Sequence, residues 1–179
     1  MRYCVFCGSN RGASPSFASA TAELARCLVA NGIGIVYGGG NVGLMGVLAD
    51  VALAEGGEVV GVIPRMLVDK EIAHRGLTEL RVVGSMHERK ALMAELSDAF
   101  IAAPGGYGTL DEFCEILTWT QLGLQRKPVG MLNVDGYFDR LLALFDHAVT
   151  EQFVKPMHRD MIVTDDTPRS LIARMRVPG

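Results

Sequence analysis

Residues 99–112 read Ala99-Phe100-Ile101-Ala102-Ala103-Pro104-Gly105-Gly106-Tyr107-Gly108-Thr109-Leu110-Asp111-Glu112. The first five form an unbroken apolar run. Such a run marks a strand buried on both faces, as in a parallel sheet covered by helices. Proline and glycine end it, and a helical period follows over 109–122. Strand, glycine loop and helix in that order make one unit of a doubly wound sheet.

The same unit repeats on both sides. Strands are expected over 2–8, 34–38, 58–63, 80–83 and 129–132, with a short one near 161–163. Helices are expected over 15–31, started by Ser14-Pro15 and stopped by Asn31-Gly32, and over 43–55, 85–97, 137–153 and from about Pro168. The fold class is α/β: a single Rossmann-like, doubly wound parallel sheet with helices on both faces, spanning 1–179. In this architecture ligands bind beyond the carboxyl ends of the strands. Four unusual segments fall on that edge: Gly8-Ser9, 38–46, 84–90 and 104–112.

Composition agrees. Of 179 residues, 49% are hydrophobic and 21% charged, which supports a core and argues against disorder. Glycine is in surplus: 21 are present where average usage gives about 12 or 13. Gly38, Gly39, Gly40, Gly43, Gly46, Gly105, Gly106 and Gly108 account for that surplus in two loops. The net charge of −3 lacks the basic field of a nucleic-acid binder. The uncharged stretch 27–49 holds seven glycines and two asparagines, so it is not read as a membrane span. The start Met1-Arg2-Tyr3-Cys4 turns polar by Ser9, too soon for a secretory signal, so the cytoplasm is expected. Cys4 and Cys7 are three apart on a strand and point to opposite faces, the wrong placement for chelation. They read as buried reduced thiols. No metal cluster or cofactor is expected.

The first glycine loop, Gly38-Gly39-Gly40-Asn41-Val42-Gly43, contains a formal G-x-G-x-x-G. A nicotinamide site would need an acid near the end of the next strand, which instead reads Val62-Ile63-Pro64. Tight strand–helix packing is the other reading. The second loop, 104–109, offers backbone N–H groups and a helix dipole to an anion, with the Thr109 hydroxyl alongside. Its alternative is a capping box, Thr109-x-x-Glu112, in which Glu112 only bonds the cap.

On the helix from Ser85, Met86, Leu92, Met93 and Leu96 form an apolar stripe with Arg89 at its centre. There an arginine either snorkels to water or has a buried partner. Ser85-x-x-Glu88 is a second capping box. On the next helix Glu112 and Glu115 share a face; carboxylates so placed either titrate as a coupled pair or are two solvated acids.

Arg89-Lys90 followed by Pro104-Gly105-Gly106-x-Gly108-Thr109-x-x-Glu112 resembles the Lonely-guy family of cytokinin-activating phosphoribohydrolases. Phe6-Cys7-Gly8-Ser9 and Tyr37-Gly38-Gly39-Gly40-Asn41-x-Gly43-Leu44-Met45-Gly46 extend the match over roughly residues 2–150. The resemblance implies cleavage of the N-glycosidic bond of an N6-modified adenosine 5′-monophosphate, or of AMP, to free base and ribose 5-phosphate. It implies Arg89 and Glu112 as the catalytic pair. Glu71, Lys90, Gly105, Gly106, Tyr107, Gly108, Thr109, Leu110, Asp111 and Thr118 would contact substrate. The converging loops add Gly8, Ser9, Gly39 and Gly40. The partner is then a small nucleoside monophosphate, with no nucleic-acid polymer and no membrane. Family members of this size resemble homodimers, with the Glu112 helix near the interface. A non-catalytic nucleotide or cofactor carrier would keep the glycine loops without needing Arg89 and Glu112 together. The lysine decarboxylase label carried by relatives requires a pyridoxal-phosphate lysine; Lys70, Lys90, Lys127 and Lys155 have no such context.

Overall fold

The computed structural model describes residues 1–68 and 73–175. Its strands are β1 (Arg2–Phe6), β2 (Gly34–Tyr37), β3 (Val59–Pro64), β4 (Glu79–Val83), β5 (Ala99–Ala102), β6 (Val129–Leu132) and β7 (Ile162–Asp165). Its helices are α1 (Pro15–Ala30), α2 (Gly43–Ala54), α3 (Arg65–Val68), α4 (Met86–Glu95), α5 (Tyr107–Gln121), α6 (Asp139–Thr150), α7 (Pro156–Arg159) and α8 (Pro168–Arg174). The seven strands form one sheet in the order β4-β3-β2-β1-β5-β6-β7, and every pairing is parallel. The doubly wound α/β expectation is met.

The apolar runs are buried as expected: every residue of β2, β3, β5 and β6 is in the interior. On one face Leu24, Leu28, Leu44 and Leu48 of α1 and α2 pack with Leu171 of α8 against Ile35 and Ile101. On the other, Met93, Phe113 and Ile116 of α4 and α5 pack with Phe138 against Phe100 and Val60. Cys7 belongs to the first layer and Cys4 to the second, so the two thiols do lie on opposite faces. Both are free and buried, as is Cys27, whereas Cys114 is exposed.

Four local features differ from the sequence reading. The single turns α3 and α7 were not anticipated; four residues carry too little period to register. β4 is an edge strand with three exposed central residues, protected by an Arg81–Glu79 ion pair at 2.6 Å. Helix α5 starts at Tyr107 with Gly106 as its N-cap, so Thr109 is inside the helix and not its cap. The capping-box reading of Thr109 and Glu112 therefore falls. Helix α6 starts at Asp139, not Tyr137, because Val134–Gly136 form a 3-10 turn with Asp135 at φ 50°. At Ser85 the cap forms: its Oγ accepts from Glu88 N–H at 3.1 Å, while the Glu88 carboxylate accepts from Gly84 N–H at 2.6 Å.

The chain winds from β1 outward to β4, then returns to place β5 on the other side of β1. The strand order reverses there. A crevice at the carboxyl ends of β1 and β5 is the expected ligand position in such a sheet.

Candidate active site

The crevice exists. A cavity of about 160 Å³ lies at the β1/β5 switch point. Gly8 and Ser9 follow β1, Gly38 follows β2, Arg89 comes from α4, and 106–109 with Asp111 and Glu112 come from α5. All four segments singled out from the sequence contribute to its wall.

Arg89 is 7% exposed, and so is Glu112. The Arg89 Nη2 lies 3.3 Å from the Glu112 Oε1. The arginine does not snorkel; it has the buried partner its position demands. Among the described residues its buried Nε has no acceptor, and Nη1 meets the Met86 sulfur at 3.8 Å. A buried donor left over from an otherwise compensated charge is what a site awaiting an anionic or oxygen-rich ligand presents. Gly38 makes the pair possible, since a Cβ there would overlap the guanidinium. The first glycine loop thus serves the site by giving Arg89 room.

The two carboxylates of α5 face different cations. Glu115 pairs with the Lys90 ammonium at 3.0 Å, which also reaches Asp111 at 3.2 Å. Burial pulls the Lys90 pKa down, but the hydrogen bonds to Glu115 and Asp111 outweigh it and leave it raised. Each glutamate has its own cation. Beneath them, burial pushes the Cys7 thiol far up, and the Glu112 charge adds to the effect, so Cys7 lines the cavity as a neutral thiol.

At the N-terminus of α5 no side chain caps the helix. Leu110 N–H bonds to Gly106 O at 3.1 Å, while the N–H groups of 106–109 have no protein acceptor among the described residues. Free N–H groups at a positive helix end, beside a cavity that holds an arginine, form an anion cradle. Gly105 is required there, because a Cβ would strike the Thr109 hydroxyl and come within 2.8 Å of Gly8 N.

The remaining expected residues divide. Tyr107, Gly108, Thr109 and Asp111 line the cavity with Gly8, Ser9 and Gly106. Gly105 lines an adjoining cavity of about 240 Å³ that shares Gly8, Ser9 and Gly106 with the first. Leu110 packs against the α5-side core. Lys90 is turned to Asp111 and Glu115. Gly39 and Gly40 lie off the wall: Gly39 O accepts from His74 N–H at 3.0 Å, and Gly40 pairs with Ala73. Thr118 is exposed, donates to Cys114 O at 2.8 Å and lines a separate cavity with Leu117 and Phe145. Glu71 lies outside the described residues. Sequence reasoning passed over Tyr137, whose hydroxyl holds Gly105 O at 2.5 Å. The available signal was its position just after β6, on the same sheet edge as the other loops.

A family model described as possible lysine decarboxylase matches residues 45–175. A rice (Oryza sativa subsp. japonica) protein described as a probable cytokinin riboside 5′-monophosphate phosphoribohydrolase is 53% identical over 97% of this chain and 78% of its own. An Arabidopsis thaliana cytokinin riboside 5′-monophosphate phosphoribohydrolase is 48% identical over 97% of this chain and 81% of its own. The chain belongs to the Lonely-guy family. Among solved structures, the molybdenum cofactor binding protein of Rippkaea orientalis superposes with a TM-score of 0.71. It covers 96% of this chain and 93% of its own at 23% identity, a likeness of fold. Among the described residues no lysine lines the cavity of this Lonely-guy chain, as the decarboxylase wording of the family model would need; Lys70 lies outside them. Lys90 is tied up in ion pairs, Lys127 caps the end of α4 through Ala94 O at 2.7 Å, and Lys155 is exposed at the start of α7.

Proposed function

We propose that this chain hydrolyses the N-glycosidic bond of nucleoside 5′-monophosphates, with N6-modified adenosine (cytokinin riboside) monophosphates or AMP as substrates. The observation that carries the reading is the buried Arg89–Glu112 pair beside an uncapped α5 N-terminus. The family relationship supports the same chemistry.

The substrate phosphate would sit on the free N–H groups of 106–109, which places the sugar toward Arg89 and Glu112. The C1′–N bond breaks with its electron pair leaving on the base, and positive charge develops on the ribose. Glu112 stabilises that charge and takes a proton from the attacking water. The water oxygen bonds to C1′; one hydrogen stays in the new hydroxyl and the other is delivered to the base nitrogen. Arg89 holds Glu112 in place, and its spare donors orient the sugar and phosphate oxygens. Each turnover consumes one water and gives free base and ribose 5-phosphate. Binding of the remote phosphate helps drive the step at C1′.

The test is incubation with isopentenyladenosine monophosphate and with AMP, followed by chromatography for free base. Release from either supports hydrolysis; release from neither identifies a carrier and sinks the enzyme reading.

We also propose that the chain is one domain and acts as a homodimer in the cytoplasm. Exposed apolar side chains at the two ends of α5 support dimerisation: Tyr107 at its start is 93% exposed, and Leu122 and Leu124 just past its end are 64% and 70% exposed. Light scattering at the monomer mass would refute it. Three buried free thiols suit a reducing compartment, and no helix among the described residues is long and apolar enough to cross a membrane.

A further inference from the structure

The anion cradle contains a weak joint. The peptide between Gly105 and Gly106 is flanked by glycine on both sides, so its plane can rotate with little steric resistance. Its N–H is one of the cradle donors. If the plane turns over, a carbonyl oxygen faces the phosphate instead.

Two bonds hold this stretch. Gly8 N–H donates to Pro104 O at 3.0 Å, which fixes the peptide before the joint. The Tyr137 hydroxyl donates to Gly105 O at 2.5 Å, which fixes the joint itself. In a trans peptide the carbonyl and the N–H point in opposite directions. Tyr137 lines the adjoining cavity and not the catalytic one, whereas Gly106 lines both. A Gly105 carbonyl held toward Tyr137 therefore turns the Gly106 N–H toward the catalytic side. The hydrogen bond also polarises that amide and strengthens its donor.

The tyrosine is itself braced. Its ring meets Phe17 of α1 edge-on at 5.4 Å and Phe138 at 4.9 Å. Asn133 Oδ1 accepts from Phe138 N–H at 2.7 Å, and Ser16 Oγ donates to Asp135 at 2.5 Å, tying the turn to α1. Four contacts, shared between α1 and the β6–α6 connection, thus hold one hydroxyl against one carbonyl.

We propose that Tyr137 is a positioning residue for the substrate phosphate, setting the Gly105–Gly106 peptide so that its N–H serves the cradle. This rests on the reading of 106–109 as a phosphate site. Tyr137→Phe keeps the ring and its two aromatic contacts and removes only the tether. Ribose 5-phosphate binding, measured by calorimetry, is expected to weaken by about five- to tenfold, the span of one lost hydrogen bond to a positioned group. The KM for a nucleoside monophosphate should rise by the same factor with kcat within about twofold, while kcat/KM for the phosphate-free nucleoside stays unchanged. Unchanged ribose 5-phosphate affinity would overturn the proposal. So would an equal loss on the phosphate-free nucleoside, which marks general loosening of the site. A wild-type protein that binds ribose 5-phosphate but releases no base refutes hydrolysis alone. One that binds no ribose 5-phosphate refutes cradle and tether together.

Discussion

Two glycine-rich loops run from a strand into a helix on the same edge of the sheet, and only one is open. At α2 the N-cap is Val42 and at α5 it is Gly106; neither helix has a side-chain cap. At α2 the protein supplies its own acceptor: Gly8 O takes Leu44 N–H at 2.9 Å and Met45 N–H at 3.3 Å. At α5 the corresponding N–H groups meet no acceptor among the described residues. Gly8 serves both, since its own N–H fastens Pro104. A glycine-rich helix start is thus not a ligand site by composition. What matters is where its orphan donors go.

The sharpest way to break this contrast is at the chemistry beside the open helix. Glu112→Gln should lower kcat by about 10³-fold with the protein still folded. A near wild-type rate would make Glu112 a structural partner of Arg89 only. Next, removing the phosphate from the substrate should lower kcat/KM by about 10²-fold, because the open N–H groups then lose their anion. Equal rates would mean that the open helix is no cradle. The glycines themselves should separate by assay. Gly43, at φ 59°, has the Ser9 backbone where a Cβ would go, so Gly43→Ala should cost about 3 kcal/mol of stability in denaturant unfolding. Gly108 has open space around its Cβ position. Gly108→Ala should leave stability within about 1 kcal/mol while weakening ribose 5-phosphate binding by about fivefold. If both variants behave alike, the two loops do not differ as described.

The smallest effect serves as a control at β7, away from either loop. Burial raises the Asp165 pKa, but hydrogen bonds from Ser170, Arg174 and Thr167 outweigh it and hold it at about 2, below the ordinary 3.8. A depressed carboxylate stabilises the fold fully above its unfolded pKa and loses that contribution as pH falls toward about 2. Asp165→Asn should cost about 1 kcal/mol near neutrality. The gap from wild type should close between about pH 4 and pH 2 in acid unfolding, with catalysis at neutral pH unchanged.

Much of this was legible in the sequence because each signal was local. Apolar runs such as 99–103 carry their double burial openly. An arginine in the middle of an apolar stripe announced that Arg89 needed a partner. The stripe itself did not say which partner, because Glu112 meets it only through the packing of α4 beside α5; only the family resemblance put the two together. The same packing sets a cation beside Glu115: Lys90, one residue from Arg89, pairs with it. The start of α5 was misplaced because Thr109-x-x-Glu112 imitates a cap. The helix begins earlier precisely where no capping side chain stands, and a missing cap leaves no mark in a residue pattern. Tyr137 escaped for a third reason. Its role lies in one hydroxyl aimed at a carbonyl 32 residues away in the chain.

The pairing of β1 with β5 sets Tyr3 beside Ala99 and Phe6 beside Ala102. Closing a loop of that length is among the entropically costlier steps in assembling the sheet. The crevice lies on this seam, with Gly8 on one lip and Gly106 on the other. A nascent chain therefore has no site until residues up to Glu112 have emerged and the seam has closed. A ligand gripping both lips holds together the contact that forms hardest, so occupancy should slow unfolding of the whole sheet as well as fill a pocket.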